Sequence, residues 1–167
     1  MLIIMRGWQG SGKSTLVKQF VTSFRNITIY STDEYWIREN GEYLWDSSRL
    51  GEAHQWNENR AKQWFEEHSD EDVLIIDNTN ITLESLMPYV EMAQRRGHVA
   101  WQSIAPDAMK TRELFDSAKI EDAILLLVKH WQRNLHGVPL STIMLNFERW
   151  EESDLPCYNP TEKKCVE

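Results

Sequence analysis

The segment that begins at Gly7 carries glycines, a lysine and hydroxyl side chains at a spacing that suits phosphate binding. It has the sequence GWQGSGKST and fits the pattern G-x-x-x-x-G-K-[ST]. Glycines permit positive φ angles and let backbone N–H groups wrap a β-phosphate, while Lys13 would bridge the β- and γ-phosphates. The Ser14 hydroxyl would bind Mg²⁺, and the N-terminus of a following helix favours anions. The sequence therefore predicts ATP and Mg²⁺ as ligands, with the nucleotide held by Gly7, Gly10, Ser11, Gly12, Lys13, Ser14 and Thr15.

A carboxylate, Asp33, stands in the sequence STDEY directly after a second β-branched run. If that run is a strand, Asp33 lies at the same sheet edge as the phosphate-binding segment. A carboxylate there accepts the proton of an attacking hydroxyl or orients that hydroxyl. Position alone equally allows Asp33 to cap the next helical turn. Arg38, five residues further on, is either a partner for a substrate phosphate or a solvated surface side chain.

A second carboxylate, Asp77, ends the apolar run DVLIID. This is the place where a Walker B carboxylate approaches Mg²⁺, usually through water, so Asp77 joins Ser14 as a predicted metal residue. Asn78 and Thr79 continue into a polar turn over the same crevice and are predicted to contact substrate. The alternative is that this turn serves the next helix, capped by Asn80 or Thr82.

A cation is needed to neutralise the transferring phosphoryl group, and a mobile helical segment commonly carries it. The segment KHWQRNLHG supplies Lys129, His130 and Arg133 on one predicted helix. Arg133 is the predicted catalytic cation, and the alternative is a solvated basic face. His136 is interpreted as a structural histidine rather than as an acid or base.

The elements that must position these residues follow from apolar periodicity. Short apolar and β-branched runs predict strands over residues 2–5, 26–30, 72–77 and 98–104. Recurrence at three to four residues predicts helices over residues 13–24, 47–68 and 81–96, with Gly97 as the stop of the last one. Alternating strands and helices predict a parallel sheet with helices on both faces and ligands at the carboxyl ends of the strands.

The remainder of the chain is predicted to be mainly helical. Helices are expected over residues 108–118, 120–135 and 141–150, with Ser141 as a possible cap of the last. We expect one domain over residues 1–150, with a lid at about 107–138, and an extended, weakly ordered tail over 151–167.

Composition limits the function classes. The chain has 167 residues with 18 Lys plus Arg against 26 Asp plus Glu, a net charge of −8. This balance argues against nonspecific coating of nucleic acid or anionic membrane, although a local basic groove remains possible. The first apolar run is too short for a signal peptide or a spanning helix, so a cytoplasmic protein without a membrane partner is expected. Cys157 and Cys165 match no zinc or redox pattern and are interpreted as structural or incidental.

Four segments together resemble a known family, the P-loop polynucleotide kinases: GWQGSGKST, STDEYW, LIIDNTN and QRNLHGVP. These segments span about residues 3 to 139. Members of that family transfer the ATP γ-phosphate to a 5′-hydroxyl of RNA or DNA. The resemblance implies a three-layer α/β/α P-loop fold with a central parallel sheet and a C-terminal helical lid. It also implies Asp33 as general base, Arg133 on the phosphates, and 5′-hydroxyl RNA or DNA ends as substrate.

Two departures from the family pattern concern substrate recognition. The phage type carries Asp-Thr-Asn after its third strand, whereas this chain has Asp77-Asn78-Thr79-Asn80, so Asn78 stands at the family aspartate position. Arg38 is also shifted relative to the arginine that follows the base motif in the family.

Three functions therefore remain in competition. The first is a polynucleotide 5′-hydroxyl kinase, with the terminal base stacked on an aromatic such as Tyr35, Trp36, Tyr43 or Trp45, all of which could instead be core residues. The second is a kinase of a small hydroxyl compound, such as a nucleoside, sugar, antibiotic or nucleotide sugar. The third is a nucleotide-binding module without phosphoryl transfer.

Overall fold

The computed structural model describes residues 1–69, 71–160 and 164–166, and a sheet lies at its centre. The first four strands are β1 (Leu2–Arg6), β2 (Ile27–Tyr30), β3 (Val73–Ile76) and β4 (Ala100–Ile104). They lie side by side in the order β2-β3-β1-β4, and each neighbouring pair is parallel. Parallel neighbours require crossover connections, which the intervening helices supply. The predicted parallel sheet is confirmed.

The described residues contain six α-helices. They are α1 (Lys13–Ser23), α2 (Leu50–Glu67), α3 (Leu83–Arg95), α4 (Pro106–Asp116), α5 (Ile120–Arg133) and α6 (Leu140–Glu148). Two short 3-10 helices, Thr32–Trp36 and Ser47–Arg49, lie between β2 and α2.

Helices cover both faces of the sheet. Successive residues of a strand point to opposite faces, and β1 shows this directly. Leu2 and Ile4 belong to a buried cluster with residues of α2 and α3, whereas Ile3 and Met5 belong to a cluster with residues of α1. All five residues of β1 are buried, which explains the continuous apolar run in the sequence. The predicted three-layer α/β/α architecture is confirmed.

Helix α5 of the predicted lid and the following helix α6 rest on the phosphate-binding segment through a tryptophan. Trp8 is fully buried in a cluster that includes Leu127 of α5 and Ile143 and Phe147 of α6. Its ring meets that of Phe147 edge-on at a centroid distance of 5.4 Å. The apolar faces of the C-terminal helices therefore fix their position relative to the loop that precedes α1.

The predicted weak order of the tail is wrong for residues 151–160. Strand β5 (Cys157–Asn159) joins the sheet parallel to β4, and β6 (Lys164–Val166) pairs antiparallel with β5. Buried Arg6 donates to the Glu151 carbonyl, and Gln102 donates to the carbonyls of Ser153 (3.0 Å) and Leu155 (2.6 Å). Buried polar groups of two central strands thus hold the tail, because they need partners there.

Some predicted boundaries also change. The last helix begins at Leu140 with Pro139 in the N-cap position, so the prediction that Ser141 caps it is wrong. Helix α5 ends at Arg133, two residues earlier than predicted, which leaves residues 134–139 as a loop. The Cys157 thiol is free, and the side chain of Cys165 lies outside the described part of the chain. No helix among the described residues is long and apolar enough to cross a membrane.

Candidate active site

The phosphate-binding segment has three glycines with positive φ angles, which favour glycine, and the first of them is Gly7 with φ 145°. Gly10 has φ 74° and Gly12 has φ 99°, both in the left-handed region. A Cβ atom at Gly10 would lie 2.0 Å from the carbonyl oxygen of His130, so α5 approaches the loop too closely for any side chain there. Gly10 therefore permits both the loop conformation and the close contact between the loop and the His130 carbonyl of α5.

The predicted nucleotide-binding residues lie together at one cleft of about 1220 Å³. Residues 10–15 line this cleft directly. Gly7 does not line it; its N–H donates to the Thr79 carbonyl at 2.9 Å and ties the loop to the segment after β3. The opposite wall comes from the segment after β2, from the segment after β3 and from residues 133–139. The carboxyl ends of the central strands thus open into a single space, as parallel sheets require.

The Lys13 ammonium group is folded back onto its own loop. Its Nζ donates to the carbonyls of Gly7 (2.9 Å) and Trp8 (3.2 Å). Burial lowers the pKa of Lys13, and the carboxylates of Asp77 and Asp33 oppose that shift. Both carboxylates are therefore close enough to interact electrostatically with the lysine. An entering phosphate would offer Lys13 stronger partners than backbone carbonyls.

Asp77 meets the chemical requirements of a site for Mg²⁺. Its Oδ1 atom is buried and lacks a hydrogen-bond partner within the described part of the chain. Burial raises the pKa of Asp77, and the charge of Lys13 acts in the opposite direction. Ser14 lines the same cleft and contributes a hydroxyl oxygen. A buried carboxylate oxygen in need of a partner, together with a hydroxyl, suits a magnesium ion that keeps several of its waters.

Asp33 is directed toward the cleft and does not cap the turn in which it lies. Ser31 is the N-cap residue of the 3-10 helix: its hydroxyl accepts from the Asp33 N–H, while the Glu34 carboxylate accepts from the Ser31 N–H. The alternative in which Asp33 is the cap is therefore wrong. Its own carboxylate faces the Tyr43 hydroxyl, 3.5 Å from Oδ1, and His136 Nε2, 3.7 Å from Oδ2.

The polar turn after β3 connects the two sides of the cleft. The side-chain oxygen of Asn78 accepts from the Thr32 N–H at 2.8 Å, which ties β3 to the turn that carries Asp33. Asn80 has φ 44° and donates to the Met5 carbonyl, so the hypothesis that it caps α3 is wrong. Thr82 occupies the N-cap position without a side-chain hydrogen bond to the helix. Asn78 and Thr79 both line the cleft.

Arg133 reaches the phosphate loop from the end of α5. Its guanidinium donates to the Gly10 carbonyl and pairs with the carboxylate of Asp107 in the first turn of α4. Both Arg133 and Asp107 line the cleft. Lys129 is exposed and is not among the lining residues. Of the lysine and the arginine on this helix, the structure therefore brings only Arg133 to the cleft.

His130 serves the contact between lid and loop. It is 1% exposed, and its Nδ1 accepts from the Trp8 indole N–H at 2.8 Å. Burial lowers the pKa of His130 to about 4, so the ring is neutral near pH 7. A neutral ring that accepts at Nδ1 fixes the tautomer with the proton on Nε2.

Arg38 is not brought to the cleft. It is exposed in a turn where its N–H donates to the Glu42 carbonyl at 2.9 Å, and it is absent from the lining residues. Trp36, Tyr43 and Trp45 all line the cleft; Trp36 is buried at 4% exposure, whereas Tyr43 and Trp45 are 37% and 58% exposed.

Sequence reasoning missed the role of three cleft residues. His136, interpreted as structural, is half-exposed beside Asp33; Tyr43 approaches the same carboxylate; Asp107 pairs with Arg133. The lid histidine lies in the same segment as Arg133, so a search for all titratable groups near the predicted lid would have included it. Tyr43 and Asp107 carry no comparable pattern in the sequence.

Comparison with known proteins agrees with this geometry. A family model described as an AAA domain matches residues 2–112. Human NEDD4-binding protein 2 is 33% identical over an alignment 166 residues long, which covers 95% of this chain and 9% of that protein. A chain of a Pnkp1/Rnl/Hen1 RNA repair complex superposes with a TM-score of 0.61 at 19% identity, over 89% of this chain and 43% of that one. A gluconokinase of Sinorhizobium meliloti superposes with a TM-score of 0.50 at 18% identity, over 90% and 74%.

The chain thus spans a small part of the human relative and under half of the RNA repair chain. The two structural likenesses establish the fold, in which the phosphate-binding segment joins β1 to α1. The family model covers more than half of the sequence and includes that segment, the Asp33 turn and the Asp77 strand. The protein therefore belongs to the AAA domain family.

Proposed function

We propose that the protein is an ATP-dependent kinase that phosphorylates the 5′-hydroxyl end of RNA or DNA. The observation that carries the proposal is the convergence of Lys13, Asp33 and Asp77, from three segments, on one cleft where their charges interact. A cation, a carboxylate directed toward an acceptor and a second, buried carboxylate are the parts that phosphoryl transfer to an alcohol requires.

The donor side is the phosphate loop with the end of α5. Loop N–H groups and Lys13 would hold the β- and γ-phosphates, and Arg133 would exchange its bonds to Gly10 and Asp107 for phosphate oxygens. Ser14 and Asp77 would hold Mg²⁺, which neutralises phosphate charge when it is bound. Lys13 and Arg133 would stabilise the negative charge of the transferring phosphoryl group.

The acceptor side is the turn after β2. An Asp33 oxygen accepts the proton of the 5′-hydroxyl while the hydroxyl oxygen forms its bond to the γ-phosphorus. The bond from the γ-phosphorus to the bridging oxygen breaks, and ADP leaves. Asn78 and Thr79 line the cleft and stay candidates for substrate contact, whereas the exposed position of Arg38 fits a role further along a longer substrate.

The exposed apolar side chains at the cleft favour an acceptor that carries a base. Trp45 is 58% exposed and Leu135 is 92% exposed, and both line the cleft near the acceptor turn. A base of any identity stacks on an aromatic side chain such as Trp45, and Leu135 adds apolar contact area beside it. The RNA repair complex chain among the structural neighbours supports the same acceptor class. The net charge of −8 is compatible with recognition of an end, which needs few phosphate contacts.

A small hydroxyl compound is the second candidate acceptor, favoured by the gluconokinase likeness. The deciding experiment measures transfer from γ-labelled ATP, with Mg²⁺, to 5′-hydroxyl RNA, 5′-hydroxyl DNA, a nucleoside and gluconate. We expect label at oligonucleotide 5′ ends, lost in Lys13→Ala and in Asp33→Asn. Transfer to a small acceptor alone would support the second candidate, and ATP binding without any transfer would contradict both.

A further inference from the structure

A loop of the lid reaches across the cleft to the acceptor carboxylate. Residues 134–139 connect α5 to α6, and within them His136 Nε2 lies 3.7 Å from Asp33 Oδ2. The other carboxylate oxygen faces the Tyr43 hydroxyl at 3.5 Å. The rings of His136 and Tyr43 pack against each other with centroids 5.3 Å apart and an interplanar angle of 34°. Three separate segments thus meet at Asp33.

The loop is held in the shape that presents His136. The Asn134 side chain closes it through two hydrogen bonds to Val138: its oxygen accepts from the Val138 N–H at 2.7 Å, and its nitrogen donates to the Val138 carbonyl. Gly137 has φ 62°, a conformation that favours glycine, so the chain reverses directly after His136. This geometry is local to the loop and fixes the position of the ring.

Tyr43 is the hydrogen-bond donor to Asp33 and also supports the His136 ring. Burial and the Asp33 carboxylate raise the pKa of Tyr43 to about 12, so its hydroxyl keeps its proton. A carboxylate has about four lone-pair sites, so the Tyr43 hydroxyl, with the His136 Nε2 atom 3.7 Å away, leaves room for an acceptor hydroxyl. Neither contact is short, and the carboxylate therefore stays available to accept a further proton.

We propose that His136 is a positioning residue that orients the Asp33 carboxylate from the lid loop through the N–H of its Nε2 atom. The proposal rests on the function proposed above, because it assigns His136 a task only in a reaction that uses Asp33. Docking of the lid loop then couples two events: Arg133 is brought to the phosphates at one end of the segment, and the acceptor carboxylate is oriented at the other.

The test compares three substitutions that separate hydrogen bonding from packing. His136→Ala removes both, His136→Phe keeps a ring against Tyr43 without a donor, and His136→Gln keeps a side-chain N–H donor without the ring. Steady-state kinetics with a 5′-hydroxyl oligonucleotide give kcat and the KM values of ATP and acceptor. We expect His136→Ala and His136→Phe to lower kcat about 10- to 100-fold with the KM of ATP unchanged, and His136→Gln to recover most of that loss.

A double variant shows whether His136 acts through Asp33. In an Asp33→Asn background, His136→Ala should cause little further loss, because residues that act as one unit are not additive. Lys129→Ala, an exposed substitution on α5 outside the cleft, is the matched control and should behave as the wild type. Thermal unfolding of every variant shows that the fold is retained.

The outcomes separate this inference from the proposed function. If the wild type phosphorylates no 5′-hydroxyl end, the proposed function and this inference both fail. If the wild type is active and His136→Ala equals it, only the inference fails. Recovery by His136→Phe instead of His136→Gln would also overturn it, since the ring would then act by packing alone. Full additivity with Asp33→Asn would contradict action through that carboxylate.

Discussion

The nucleotide side and the acceptor side of the cleft differ in how their residues are brought together. On the nucleotide side, residues 7–15 are contiguous and run from the end of β1 into the first turn of α1, and backbone geometry fixes their positions. On the acceptor side, Asp33, Tyr43 and His136 come from three segments and meet through side chains at distances of 3.5 to 3.7 Å. A contiguous site is rigid before substrate arrives, whereas a dispersed one depends on how loops dock.

The lid joins the two sides. Its His130 carbonyl lies against Gly10, and its His136 ring lies against Tyr43. Substitutions on the acceptor side should therefore change transfer without changing ATP binding, and substitutions on the nucleotide side should change both. Each of the following variants tests that division.

Asp33→Asn should produce the largest loss. The amide keeps the shape of the side chain but cannot accept the hydroxyl proton, so kcat is expected to fall about 10²- to 10⁴-fold. ATP affinity should be unchanged, because the loop N–H groups that hold the phosphates are intact. Single-turnover transfer and nucleotide-binding titration measure the two quantities. Loss of ATP binding in Asp33→Asn would contradict the separation of the two sides.

Gly10→Ala tests the backbone of the nucleotide side. A left-handed φ costs a non-glycine residue about 1–2 kcal/mol, and the new Cβ would also clash with the His130 carbonyl. Gly41→Ala is the matched control, because Gly41 has φ 82° and a Cβ added there would meet no atom within 4 Å. We expect a larger drop in the free energy of unfolding for Gly10→Ala, with weaker ATP binding in that variant only. If urea unfolding shows equal destabilisation by Gly10→Ala and Gly41→Ala, the contact between Gly10 and the His130 carbonyl does not contribute to stability.

The same contrast explains what the sequence predicted. Phosphate-loop residues are local in sequence, so a motif between an apolar run and an amphipathic pattern was sufficient to place them. Asp33 and Asp77 were predictable because each lies within three residues of the carboxyl end of a parallel strand, and these ends lie at one edge of the sheet. The central alternation of strands and helices was predictable from apolar periodicity, because periodicity is also local in sequence.

Contacts between distant segments were not predictable. His136 meets Asp33 only because α5 ends at Arg133 and leaves a loop that Asn134 shapes, and helix periodicity did not place that boundary. The tail is bound to the sheet through backbone carbonyls that accept from Arg6 and Gln102. Every residue has a backbone carbonyl, so the sequence does not mark which ones accept these bonds. Arg38 was predicted to contact substrate because it follows Asp33 closely in sequence, but it lies in a turn and is not among the residues that line the cleft.

Trp45→Ala refines the description of the acceptor side. Stacking of one base on an aromatic side chain contributes about 1–3 kcal/mol, so the KM of a 5′-hydroxyl oligonucleotide should rise about tenfold. The KM of ATP should not move. Trp131→Ala is the matched control, since Trp131 is 41% exposed on α5 and does not line the cleft. A wild-type KM in Trp45→Ala would show that this tryptophan takes no part in acceptor binding.

The smallest expected effect is the acid sensitivity of the nucleotide side. The pKa of His130 is lowered from 6.5 to about 4 in the folded protein, because burial disfavours the charged ring beside Trp8. Well above pH 6.5 the His130 ring is neutral in both the folded and the unfolded chain, so it does not lower the free energy of unfolding there. As the pH falls from 6.5 toward 4, the unfolded chain binds a proton that the folded chain refuses, and the free energy of unfolding decreases. Urea unfolding between pH 7.5 and 5 should show this decline in the wild type and less of it in His130→Asn, which does not titrate and keeps an acceptor for the indole N–H. Parallel declines in both proteins would assign the acid sensitivity to other groups and leave the lid contact independent of pH.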